Sequence, residues 1–140
     1  MTDPRMIVPG PGHPIALVRS SSPVVVRVAG RQLGESLSAL TLHEAEYPPV
    51  HYIPRGDLDM ALLTRTATTS HCPYKGDASY FSITVAGETY TDAAWSYEIT
   101  YPAVDAIAGH IAFYPHRADV QANEHSAVNR LSVERRPSRK

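Results

Sequence analysis

A single cysteine, Cys72, stands in 140 residues, so neither an internal disulfide framework nor a Cys-x-x-Cys metal pair can form. Lysine is almost as scarce, with Lys75 the only one before the last residue, Lys140. Apolar runs such as Val24 to Val26 and Ala61 to Leu63 fall far short of the roughly 20 residues a membrane-spanning helix needs. The opening segment has no apolar core long enough for a secretory signal. Charge of one sign is missing too: 13 Lys+Arg against 14 Asp+Glu leave a net −1, which gives no global basic field for nucleic acid. What is present, 43% hydrophobic and 19% charged residues, is globular composition. The expectation is a soluble, cytoplasmic single domain with neither a membrane nor a nucleic acid as partner.

The ends differ from the middle. Pro4, Pro9, Pro11, Pro14 and Pro23, with Gly10 and Gly12 between them, deny a helix its hydrogen-bond ladder and make residues 1–23 an extended lead-in. Five basic residues against Glu134 alone give residues 130–140 a charge of +4, leaving −5 for the rest. Residues 119–140 therefore read as a basic flexible tail, and 24–118 as the folded body.

Within that body β signals dominate. Val24-Val-Val-Arg-Val28 is β-branched and stops at Ala29-Gly30; Leu40 to His43 alternates apolar with polar; Val50 to Ile53 lies between prolines. Ala78 to Val85 is the clearest strand, with Phe81, Ile83 and Val85 on one face. Ala86-Gly87 turns it into Glu88 to Thr91, and further strands fit Ala94 to Glu98 and His110 to Tyr114. Helix is confined to Asp57 to Leu63, where Asp57 would be the N-cap and Asp59 would sit at the positive end of the dipole. A weaker single turn fits Ala103 to Ile107. The pattern predicts a mainly β fold: a compact antiparallel two-sheet domain with one short helix.

Candidate chemistry concentrates in His71-Cys-Pro-Tyr-Lys-Gly-Asp77. Cys72 and Lys75 are potential nucleophiles and Tyr74 a potential acid or base, with Pro73 and Gly76 bending the chain around them. The plainer reading is a β-turn with an inert thiol and a lysine–carboxylate pair, and for Cys72 alone it is preferred. The point-charge ammonium of Lys75 would suit a small anionic ligand. His71, Cys72 and His110 show no ligand spacing, so no metal and no cofactor is expected. Trp95 and Tyr97 read first as sheet packing; beside Glu44 and Lys75 they would also wall a ligand cleft.

Tyr52-Ile-Pro-Arg-Gly-Asp57, Cys72-Pro-Tyr-Lys-Gly76, Ala93-Ala-Trp-Ser-Tyr97 and Ile107-Ala-Gly-His-Ile-Ala-Phe-Tyr114, with Ser36 and Glu44, resemble in this order the bacterial family called domain of unknown function 427. The chain departs from that pattern at Glu98-Ile-Thr-Tyr-Pro102. The resemblance implies a β-tent-like architecture, two antiparallel sheets leaning together over a cleft. The two Cys-x-x-Cys zinc knuckles of other β-tent families have no counterpart in a chain with one cysteine. The family sometimes carries a nucleotidyltransferase-like label, but Asp57-Leu-Asp59 is the only Asp-x-Asp and no phosphate-binding loop precedes it.

Two functional readings follow. One is a cleft that binds or transforms a small anionic molecule, formed by Glu44, Cys72, Tyr74, Lys75, Trp95 and His110. The other is a non-catalytic interaction module, homodimeric through an exposed sheet edge. The sequence does not decide whether the domain is an enzyme. A carboxylate partner for Lys75 is expected, Glu44 first and otherwise Asp57 or Asp77.

Overall fold

The computed structural model describes residues 3–122. They form ten strands: β1 (Ile15–Arg19), β2 (Val24–Val28), β3 (Arg31–Ser36), β4 (Leu40–Glu44), β5 (Val50–Tyr52), β6 (Leu63–Cys72), β7 (Gly76–Val85), β8 (Glu88–Thr100), β9 (Ala112–Phe113) and β10 (Asp119–Ala122). All pairings are antiparallel, in three sheets ordered β1-β4-β5, β10-β2-β3 and β6-β7-β8-β9. The fold is mainly β and antiparallel, as the alternation predicts, with three sheets where two were expected.

Phe81, Ile83 and Val85 of β7 are buried together with Val24, Val26 and Val28 of β2 and Leu33 of β3 in one core. A second core gathers Leu42, Tyr52, Ala78, Tyr97, Val104, Ile107 and Ala112, with Trp95 and Cys72 packed against it partly buried. The two are stitched where Ile53 and Ile111 exchange backbone hydrogen bonds of 2.8 Å each, which ties the β1-β4-β5 sheet to the end of the four-stranded one.

The expected helix at Asp57 to Leu63 is instead two short 3-10 turns, Arg55–Asp57 and Met60–Leu62. Asp57 makes no capping bond; its carboxylate instead accepts the Ser36 hydroxyl at 2.6 Å. Between the turns the backbone is drawn into a strand contact: Gly34 bridges to Leu58, and Asp59 N–H donates to Leu33 C=O at 2.8 Å. Tertiary hydrogen bonds have outcompeted a helix too short to form by itself. Pro102–Ile107 is a 3-10 segment interrupted at Val104.

The paired chain runs wider than residues 24–118. β1, inside the lead-in, pairs with β4 from Ile15↔Glu44 to Arg19↔Leu40. β10, at the start of the stretch read as a tail, pairs with β2 from Asp119↔Arg27 to Ala122↔Val24. The charged segment 130–140 lies outside the described residues. β6 was missed as well. It is a sheet edge exposed along most of its length, so its threonines need not alternate with apolar residues. Its pairing to β7 shifts between Arg65 and Thr69, where Asp92 of β8 accepts both Thr66 and Thr68 hydroxyls at 2.6 and 2.7 Å. Such a bulge interrupts the edge as a template for another strand.

Candidate functional site

The segment Cys72-Pro-Tyr-Lys-Gly76 is the turn joining β6 to β7. Lys75 N–H closes it onto Cys72 C=O at 3.2 Å. Gly76 sits at φ 117°, with the carbonyl of Ile99 2.7 Å from where a Cβ would stand, so only glycine can end the turn. This geometry directs Lys75 inward. The residue is 8% exposed, and its Nζ donates to Glu44 Oε1 at 2.5 Å. Its first-expected partner is therefore the one it has.

Glu44 is shared. Its other oxygen, Oε2, meets His13 Nε2 at 2.7 Å, and the His13 ring stacks on Tyr74 at 4.1 Å between centroids and 7° between planes. Because Ile15 pairs with Glu44 across β1 and β4, and Pro14 C=O accepts Ala45 N–H at 2.8 Å, the lead-in is held so that His13 reaches the carboxylate. Burial alone would raise the Glu44 pKa; the hydrogen bonds from Lys75 and His13 outweigh it and leave the carboxyl below its usual range. His13 was not singled out from the sequence. Its only local mark is the following Pro14, and nothing in the spacing connects it to a residue 31 positions away.

Glu44 also opens onto a cleft of about 700 Å³. All three sheets contribute to its wall: Glu44 and Val50, Trp95 and Phe113, and Asp119 and Val120 of β10. The loop from Tyr47 to Pro49, His51, Pro115 and Ala118 complete it. Trp95 is fixed in place, its indole N–H donating to Tyr52 Oη at 3.2 Å and its ring 4.5 Å from that of Tyr114. Burial pushes the Tyr52 hydroxyl far up, so it stays neutral. Burial, then a hydrogen bond with Tyr80, raises Tyr114 to about 12. Tyr47, by contrast, is 65% exposed.

The six sequence candidates thus separate. Glu44 and Lys75 meet directly, Tyr74 joins them through His13, and Trp95 shares the cleft wall with Glu44. Cys72 packs against the second core instead. His110 bonds back to its neighbour Ala108 C=O at 3.2 Å. It follows Gly109, whose carbonyl accepts Arg55 Nε at 2.6 Å.

Arg55 belongs to a separate polar network. It donates to Ser96 Oγ at 3.2 Å and to Glu98 at 2.6 Å, while Arg65 donates to the same Glu98 oxygen. Both guanidinium carbons lie 5.3 Å from the centre of the Phe81 ring. By bonding a carbonyl, a hydroxyl and a carboxylate through Nε and one terminal nitrogen, Arg55 clamps the 3-10 turn it begins to β8.

Among the described residues no three His, Cys, Asp or Glu side chains converge as a metal site, and no helix is long and apolar enough to cross a membrane. No curated protein matches the sequence. A family model does match, over residues 16–124, and its span takes in β1 and β10 as well as the central strands: the chain belongs to the family described as domain of unknown function 427.

Proposed function

We propose that this protein is a binding domain for a small molecule, seated in the cleft between Trp95 and Glu44. The observation that carries this reading is one concavity of about 700 Å³ where three sheets meet, walled by an indole and a carboxylate that neighbouring groups already hold in place. A volume of this size fits a small ligand, and a few fixed polar groups on an apolar wall are what such sites use for orientation. Preorganisation of both side chains lowers the ordering cost of binding.

Nucleotidyl transfer fits the residues less well. Asp57 is engaged by Ser36, and Asp59 lies 3.4 Å from Arg31, so the two carboxylates are tied to different partners rather than gathered around a metal. Pairing of two chains through the β6 edge is disfavoured by its bulge and by the Asp92 clamp.

The protein has one tryptophan beside eight tyrosines, so fluorescence excited at the red edge, where tyrosine does not absorb, comes from Trp95 in the cleft wall. Screening a collection of small fragments by quenching of Trp95 should yield compounds that bind saturably. Tyr47→Ala, at an exposed position that leaves folding intact, should weaken them by about fivefold or more, the loss of one stacking contact. Failure of any compound to saturate, or saturation indifferent to Tyr47→Ala, would overturn the reading.

A further inference from the structure

We infer that the cleft selects organic cations, an amine or quaternary ammonium group carried on a small apolar body. This rests on reading the cleft as a binding site and adds the chemical class of its ligand. Lys75, which the sequence offered as an anion's partner, has its ammonium turned to Glu44 Oε1. What the cleft itself receives from that pair is the carboxylate. Asp119 supplies a second carboxylate, and among the described residues no lysine or arginine lines the wall.

The remaining lining agrees in sign. Among the described residues each Glu44 oxygen takes one side-chain hydrogen bond, from Lys75 and from His13, and a carboxylate oxygen can accept two. Among the described residues Asp119 accepts one side-chain hydrogen bond, from Gln121 Nε2 at 3.2 Å. Pro48, Pro49 and Pro115 bring no backbone N–H, so an anion entering here would meet few donors. Trp95 and Tyr47 present aromatic surface, whose negative face attracts cations. Among the described lining residues the one basic side chain is His51, hydrogen-bonded through Nδ1 to Thr41 at 2.9 Å.

Three probes with one aromatic body and different charge test this: benzyltrimethylammonium, benzyl alcohol and benzoate, titrated into the whole protein at pH 7.5 and read by Trp95 fluorescence. The cation should bind at least about tenfold more tightly than the alcohol, and benzoate should not saturate. Asp119→Asn, at an exposed position, should weaken the cation severalfold and leave the alcohol unchanged. Equal binding of cation and alcohol, or preference for benzoate, would overturn charge selection while leaving the cleft a binding site. Cation binding indifferent to both Asp119→Asn and Tyr47→Ala would place it elsewhere and overturn the inference, as would no binding by any probe. Failure of the cleft reading itself would show separately, as an absence of saturable hits in the fragment screen.

Discussion

Replacing Lys75 by methionine is expected to lower the unfolding free energy by about 3 kcal/mol, the lower end of the cost of stranding a buried charge. The lower end applies because Glu44 keeps His13 as a partner and its side chain, 14% exposed, reaches the cleft. Methionine fills much of the volume of the lysine stem, so the loss reports charge rather than a cavity. The effect has a signed pH dependence. In the native protein the folded Glu44 pKa is lowered, so its contribution is present above the ordinary glutamate range, near pH 4.5, and is lost as pH falls through the lowered folded value. Without Lys75, burial outweighs the remaining hydrogen bond, the folded pKa moves upward, and protonation then favours the folded state. The deficit of the variant should accordingly narrow between pH 7 and about pH 4. Urea unfolding of both proteins at the two pH values measures this; an equal deficit at both, or none, would mean that Glu44 does not depend on Lys75.

Gly34→Ala is expected to be as damaging for a purely steric reason. A Cβ at position 34 would stand 2.1 Å from the carbonyl oxygen of Asp57 and 3.1 Å from Leu58 Cα. Those are backbone atoms of the segment that Leu33 and Gly34 draw against β3, so no side chain can swing away to make room. The strand contact must open, releasing Leu58 from the first core. A loss of about 3 kcal/mol follows, a large part of the stability of a domain this size. A thermal melt of the variant unchanged from that of the native protein would show that the close approach does not form.

These two positions also mark what the sequence reveals and what it hides. Gly34 looks unremarkable inside Arg31-Gln-Leu-Gly-Glu-Ser36, because the need for glycine comes from a carbonyl 23 positions away. β7 is legible because apolar Phe81, Ile83 and Val85, all buried in the first core, alternate in the sequence with polar Ser82 and Thr84. β6 has no buried face along most of its length and leaves no such trace. The Asp57–Leu63 segment carries genuine helix-start residues, yet Ser36 takes the capping carboxylate, a competition visible only after folding. At the site, Lys75 could be found from the rarity of lysine and from the turn around it, and Glu44 from its place in the family-like pattern. His13 and Asp119 could not, since each owes its place to a pairing of distant segments, β1 with β4 and β10 with β2, and Tyr47, in the loop between β4 and β5, gains its role from the other sheets that wall the cleft. The inferred cation class depends on the same kind of placement, because it turns on which member of the Lys75–Glu44 pair lines the cleft.

The central claim is that the functional site lies where the three sheets meet. Its most direct test is chemical-shift mapping of the ¹⁵N-labelled protein with benzyltrimethylammonium. The single indole N–H, from Trp95, gives one side-chain cross-peak that needs no assignment. Shifts are expected in that peak and in the amides of residues 44–51 and 113–120 (prolines apart), with Arg55, Arg65, Glu98 and their neighbours unmoved. Shifts centred on the arginine network around Glu98, or a Trp95 peak that stays fixed while other amides saturate, would contradict it.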